Sequence, residues 1–266
     1  MHIVNLASGS KANSTFVDSG KTKILIDAGL TEKTLKERLC KIGEDISAIQ
    51  AVLVTHEHID HIRALKNLAK NYKVKICVHK KLENIKEIVD AEIDAKNLIL
   101  FEDEKFVIGD IEILPVGVSH DATYPVSFIL NRAGSVSKVG FITDTGYVSK
   151  AVQEKFAGVK MVFIESNYDE EMLLNGKYPY IVKQRIFGEK GHLSNAQSLE
   201  FAKALYKSGT RCFILSHISE NNNTKELAYK NYVEYFESKN LVLDKDVFIR
   251  ISYQGKCGNN FNLREE

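Results

Sequence analysis

Between residues 52 and 62 the chain reads VLVTHEHIDHI, which places His56, His58, Asp60 and His61 within six positions directly after an apolar run. Two explanations compete: a metal-binding loop, and a polar turn that happens to be rich in histidine. Neutral imidazoles and a carboxylate suit Zn²⁺, Mn²⁺ or Fe²⁺ equally well. His56 and His58 are two residues apart, so in an extended segment both rings point to the same side. Asp60 and His61 follow where the sequence turns helical and serve a second position close by, so one loop can feed two adjacent metals. With eight histidines in 266 residues, a chance H-x-H-x-D-H has a probability on the order of a few in ten thousand over the chain. The metal loop is the better explanation.

Such a loop needs rigid supports. AVLV in front of it reads as a buried strand, and DHIRALKNLAKN behind it as a helix that Asp60 could cap. IVNLA, STFVD and KILIDAG are earlier strands separated by turns. TEKTLKERLCKIG reads as a helix with Thr31 as N-cap, Leu35 and Leu39 four apart, and Gly43 as its stop. VKICV, NLILF, KFVIG, IEILPVGVS, PVSFILN and KVGFITD are further strands. KMVFIES and RCFILSH then alternate with helices, among them NAQSLEFAKALYKSG with Ser194 or Asn195 as its cap. VFIRISY and the C-terminal tail carry weaker signals. Strand clusters in both halves, each followed by helices, predict an α/β fold: a four-layered αββα sandwich of two mixed β-sheets. Only three prolines occur and no low-complexity linker interrupts the chain, so residues 1–266 are expected to form one domain.

Composition sets limits on the partner. An apolar fraction of 44% and a charged fraction of 27% are ordinary for a globular protein, and the net charge is +1. An anionic substrate must therefore be met by a local patch rather than a global field. Four scattered cysteines without a C-x-x-C pair read as free thiols in a reducing compartment. The first residues show no secretory pattern, and no apolar run reaches the roughly 18 residues a bilayer span requires. The expectation is a cytoplasmic protein with no membrane contact.

The H-x-H-x-D-H loop resembles the signature of the metallo-β-lactamase superfamily. The resemblance continues in order along the chain, from about residue 6 to residue 223. LIDAG contributes Asp27, GVSHDA contributes His120, TDTG contributes Asp144 and LSHIS contributes His217. Taken alone, His120 and His217 would be structural histidines, and Asp27 and Asp144, just upstream of glycines, would be turn formers. The resemblance implies two divalent metal ions. His56, His58 and His120 would hold one, Asp60, His61 and His217 the other, with Asp144 bridging and Asp27 supporting the loop from behind. His2 and His79 match nothing and are expected to be structural.

FIESNYD and GHLSNAQS resemble motifs of the RNase Z-like phosphodiesterases of that superfamily. There a glutamate orients a histidine that protonates the leaving oxygen, roles that fall here on Glu165 and His192. The expected catalytic set is His192, Glu165 and Asp60, with attack by a metal-bound hydroxide. The whole motif set is most similar to the YycJ/WalJ/VicX branch, which implies a 5′-to-3′ exonuclease acting on double-stranded DNA. One departure stands out: the branch usually reads E-S-N-H-D, and Tyr168 takes the place of that histidine.

For substrate contact, NGKYPYIVKQRIFGEKGH interleaves cations and rings, including Lys183 and Arg185, just before His192. A solvated helix face would explain it equally well. Ser10 and Ser14 in SGSKANS, Tyr168, and Asn222 in SENNN are further candidates for contact with the substrate. The partner is expected to be nucleic acid, chiefly DNA, with the oligomeric state open. A hydrolase of a small phosphodiester or other small ester, using the same dinuclear site, is the alternative. No insertion long enough for a tRNA-gripping arm is present. His58 stands where the oxygen-reducing di-iron proteins of this fold carry glutamate.

Overall fold

Short apolar runs bounded by turns build the first sheet. A computed structural model describes residues 1–258 and 260–263. In it β1 (His2–Ala7), β2 (Ser14–Asp18) and β3 (Lys23–Ile26) form an antiparallel meander. β4 (Ala51–Leu53), β5 (Lys75–His79) and β6 (Leu98–Phe101) then add in parallel. The second half repeats the scheme. β7 (Phe106–Ile108), β8 (Ile111–Gly117), β9 (Val126–Arg132) and β10 (Lys138–Ile142) are antiparallel. β11 (Met161–Glu165), β12 (Cys212–Ser216) and β13 (Phe248–Ile251) follow in parallel. The weakly signalled C-terminal tail crosses back as β14 (Asn260–Asn262), which pairs antiparallel with β1. The sheet orders are β14-β1-β2-β3-β4-β5-β6 and β13-β12-β11-β10-β9-β8-β7.

Side-chain parity explains why the two sheets stack. Ile3, Val17, Ile24 and Leu53 face Phe128, Phe141, Phe163 and Ile214 across the space between the sheets. Their neighbours Val4, Phe16, Leu25 and Val52 point the other way, against α1 (Glu32–Lys41) through Leu35 and Leu39. On the second sheet Val162, Ile164, Phe213 and Leu215 meet Phe156, Phe201, Tyr232 and Phe236 from the outer helices. Both faces of the strands are thus buried, which is why the runs read as continuously apolar rather than alternating. Three apolar layers between four structural layers make the αββα sandwich. No helix among the described residues is long and apolar enough to cross a membrane.

The helix after the histidine loop differs from the sequence expectation. Instead of one helix there are two, α2 (Ile59–Ile62) and α3 (Leu65–Tyr72). Ala64 N–H donates to Ala28 O at 2.9 Å, which draws the chain back towards β3 at the break. His58 occupies the N-cap of α2 without a side-chain cap bond, and Asp60 lies inside its first turn. Asp60 does not cap because its carboxylate is engaged by Asn13 at 3.1 Å. Thr31 does cap α1, accepting from Thr34 N–H, and Gly43 takes the left-handed φ of 80° that ends it.

Candidate metal centre

The histidines and carboxylates meet at one edge of the sandwich because each leaves the end of a strand. Asp27 follows β3, His56 lies just beyond β4, His120 follows β8, Asp144 lies two residues beyond β10, and His217 immediately follows β12. Asp27, Asp144 and His217 have φ of 59°, 57° and 53°. In that left-handed region a residue with a Cβ costs about 1–2 kcal/mol. Backbone strain collects where chemistry is done, and local bonds hold it: Asp27 N–H donates to Leu53 O and His217 N–H to Ser8 Oγ.

One nitrogen of most rings is tied down, which leaves the other facing inward. Thr55 Oγ1–H donates to Asp27 Oδ2 at 2.9 Å, so Thr55 can only accept from His56 Nδ1, 3.0 Å away. His61 Nδ1 donates to Asp27 Oδ2 at 2.7 Å, and His120 Nδ1 to Gly191 O at 3.0 Å. His192 and His217 each direct Nδ1 at Glu165 Oε1, both at 2.8 Å. The inward atoms then converge. His56 Nε2 lies 3.0 Å from His58 Nδ1, and His56, His58 and His120 form one group able to hold a metal. His61 Nε2 lies 3.4 Å from Asp60 Oδ2 and 3.6 Å from Asp144 Oδ2. Asp144 Oδ1 is 3.2 Å from His217 and 3.9 Å from both His120 and His192. Tethering one nitrogen of a ligand imidazole to an acceptor is the usual way a protein orients the other.

Burial and neighbouring charges shift several of these groups from their usual values. Glu165 is fully buried, and burial alone would raise it, yet His192 and His217 hold it well below the carboxylate range. Burial likewise disfavours the imidazolium of His217, but Asp144 and Glu165 outweigh it and lift the ring to about 9. Asp27 and Asp144 hold His61 well above its usual value in the same way. Burial of His56, reinforced by the neighbouring His61, His120, His58 and His217 rings, pushes it well below its usual value. Asp144 Oδ2 and His217 Nε2 are buried without a hydrogen-bond partner among the described residues. Orphaned atoms of these types at the meeting point of the rings are what a divalent cation would satisfy.

The expected substrate contacts fare unevenly. Ser10 is exposed in the loop beside the centre, and Arg185 is exposed and paired with Asp121, which sits 3.1 Å from His120 Nε2. Lys183 Nζ donates to Leu174 O at 2.7 Å, on the neighbouring helix. Ser14 and Tyr168 are buried at 2% and 1% exposure, so neither is presented to a substrate as the sequence suggested, whereas Asn222, 1% exposed, lines a surface pocket with Lys177 and Tyr178. Ser14 points into the inter-sheet layer, and Tyr168 packs against Phe187 with ring centroids 6.2 Å apart. His79 is structural, stacked on Tyr124 at 4.1 Å, and His2 packs edge-on against Phe16.

Several supports were not singled out in the sequence. Asn13 Nδ2 reaches both Asp60 Oδ2 at 3.1 Å and His61 Nε2 at 3.0 Å. Glu57, between the first two loop histidines, accepts from Thr123 N and Oγ1 at 2.7 Å and so clamps the segment after His120. Gly29 passes so close to the loop that a Cβ there would lie 1.5 Å from Asp60 O. Asn13 lies inside the Ser-rich SGSKANS stretch, where an asparagine looks like any other turn residue.

The comparisons with known proteins agree with this geometry. The family described as the beta-lactamase superfamily domain matches residues 22–218. Exodeoxyribonuclease YycJ of Bacillus anthracis is 35% identical over 241 residues, covering 90% of each chain. Exodeoxyribonuclease WalJ of Streptococcus pneumoniae is 36% identical over 246 residues, covering 91% of this chain and 90% of WalJ. Among solved structures, the metallo-beta-lactamase fold protein YhfI of Bacillus subtilis matches with a TM-score of 0.72 at 12% identity, over 98% of this chain and 99% of that one. That likeness speaks to the fold alone.

Proposed function

The chain belongs to the metallo-β-lactamase superfamily, and from that premise we propose that it is a metal-dependent phosphodiesterase that removes nucleotides from the 5′ end of double-stranded DNA. The observation that carries the reading is His192, held by buried Glu165 at 2.8 Å directly beside the metal-type cluster. Acyl substrates have less need of such a pair, whereas a departing sugar alkoxide needs a proton delivered to it. The exodeoxyribonucleases YycJ and WalJ, similar over nine-tenths of the chain, support the choice of DNA.

His56, His58 and His120 would hold one divalent cation, and Asp60, His61 and His217 a second, with Asp144 between them. Zinc, manganese and iron all suit this donor set. Bound there, the cations would supply a nucleophile at neutral pH and stabilise charge on the phosphate oxygens. The chain's own groups do the rest. Glu165 accepts from His192 Nδ1, which fixes the ring and leaves Nε2 to protonate the departing oxygen. Thr145 and Leu193 N–H groups donate to the other Glu165 oxygen at 3.0 and 3.3 Å, so the carboxylate cannot rotate away. Asp60 is the most exposed of the three central carboxylates, with 20% of its side chain accessible against 5% for Asp144 and 0% for Glu165. In the proposed reaction it would meet an entering water.

The test is digestion of duplex DNA labelled at either the 5′ or the 3′ end, by protein loaded with Mn²⁺ or Zn²⁺. Matching RNA and a small phosphodiester run alongside. Stepwise release from the 5′ end supports the proposal. Cleavage of the small phosphodiester alone would replace it with the small-substrate alternative.

A further inference from the structure

Helix α7 (Tyr180–Phe187) buries none of its residues, although it carries five large apolar ones and leads directly into the loop of His192. Tyr180 is 75% exposed, Ile181 74%, Phe187 56%, and Leu174 on the preceding helix α6 (Glu170–Asn175) 65%. An apolar cluster of this size in the open marks a binding surface rather than an accident of packing. Tyr180, Lys183, Gln184 and Phe187 recur at helical spacing and form one wall of a groove of about 600 Å³ whose other wall is Leu173 and Leu174.

We propose that this α6–α7 groove binds unpaired nucleobases at the end of a DNA strand, feeding that strand to the metal centre. Three observations select a nucleobase over another apolar occupant. One wall carries the rings of Tyr180 and Phe187 with hydrogen-bonding groups at the rim: Gln184 Nε2 donates to Tyr180 Oη at 2.7 Å, and the carboxylate of Glu170 lies alongside. That combination suits a flat ring with polar edges. Lys183 stands on the α7 wall, with Lys177 and Lys190 in the flanking segments, so cations are at hand for a phosphate backbone on that side, while Glu170 lies on the α6 side. The helix is also tied to the centre. Arg185, on its opposite side, pairs with Asp121, which sits 3.1 Å from His120 Nε2, and His192 N–H donates to Ile186 O at 3.0 Å. Buried Tyr168 backs the groove by packing under Phe187. The inference rests on the phosphodiesterase reading only for the choice of polymer.

The experiment measures binding rather than cleavage. A duplex with a short 5′ overhang carries the fluorescent base 2-aminopurine at its terminus, and a second duplex carries it internally. Stacking in the groove should change the terminal signal and leave the internal one alone. Tyr180→Ala should weaken binding about tenfold with an unchanged circular dichroism spectrum. Val136→Ser, which alters an exposed apolar residue on the β9–β10 turn, should leave binding as it was. Equal binding by the wild type and Tyr180→Ala would overturn the groove. So would light scattering that shows a dimer broken by Tyr180→Ala while DNA binding persists, since the occupant would then be a second copy of the chain. DNA that binds with the expected signal but is not shortened would defeat the nuclease reading and leave the groove standing.

A separate observation carries a second inference. Asn5, Ser14 and Ser127, from β1, β2 and β9, line one small cavity of about 30 Å³ between the sheets. Asn5 Oδ1, Ser14 Oγ and Ser127 Oγ are all buried without a partner among the described residues. We infer that this cavity is an internal water site. It exceeds the roughly 10–15 Å³ one water needs and offers the usual number of partners. Thr55, which also lines it, bonds Asp27, His56 and His61, so the water would lie directly behind the metal loop. A high-resolution crystal structure should show a water within hydrogen-bonding distance of those three atoms. A dry cavity, or the three side chains paired with one another, would contradict the inference.

Discussion

At the scale of single residues, Glu165 is the hub. One of its oxygens serves both His192 and His217, and the other takes two backbone N–H groups. Glu165→Gln keeps the shape but removes the charge that orients and polarises both rings. Turnover should fall about 10- to 100-fold with the melting curve little changed, as is usual for groups that orient ligands. An unchanged rate would show that Glu165 is only structural. Charge also governs metal loading. His61 is held well above its ordinary value and His217 at about 9, so in the metal-free protein both are protonated at neutral pH. Because these values are raised on folding, the imidazolium–carboxylate pairs stabilise the metal-free protein at neutral and lower pH, and the contribution of His217 fades as pH climbs through about 9. A metal must displace those protons, so affinity should rise with pH and loading should release protons, measurable by titration in a weakly buffered dye solution. Loading without proton release would contradict this. The ligand-type residues were legible because histidine is scarce and its spacing improbable. Asn13 and Thr55 were not, because supporting residues are of common types whose role only the fold reveals.

At the scale of elements, the loop between β4 and α2 is positioned by backbone bonds as well as by the side chains of Asn13, Asp27 and Thr55. Asn13 N–H donates to Asp60 O at 2.8 Å, Gly29 N–H to Asn13 O at 2.9 Å, and Ala28 N–H to His61 O at 2.7 Å. These contacts need Gly29, since a side chain there would overlap Asp60 O. Gly29→Ala should destabilise the protein by about 1–3 kcal/mol or more through overpacking, and should lower metal stoichiometry as well, read by thermal melting and metal analysis. A variant with wild-type melting and full metal content would show that the contact is dispensable. The strands were readable because both faces are buried and the runs are continuously apolar. The split of α2 from α3 was not, because the Ala64–Ala28 bond that turns the chain is a tertiary contact with no local signal. The pairing of β14 with β1 was likewise invisible, since its residues Asn260 and Asn262 are exposed and polar.

At the scale of the whole molecule, two similar halves face each other, and the centre forms where the strand ends of both converge. That layering was legible from strand clusters followed by helices in each half. The groove of α6 and α7 was legible only as a mixture of rings and cations, because exposure cannot be read from composition. Burial also sorts the thiols. Desolvation pushes Cys77 and Cys212 up to about 12, while Cys40 is exposed. In the native protein Cys40 should label fastest with a thiol reagent, the half-buried Cys212 more slowly, and Cys77 only on unfolding. Rapid labelling of Cys77 would mean that the inter-sheet core opens. The central claim is that a cluster of metal-binding type and a separate proton donor act together on a phosphodiester. The most direct measurement compares metal content and 5′-end digestion in wild type, His58→Ala and His192→Ala. The account predicts that His58→Ala loses metal and activity together. His192→Ala should keep its metal and lose about 100- to 10,000-fold in turnover. Full turnover by metal-loaded His192→Ala would contradict it.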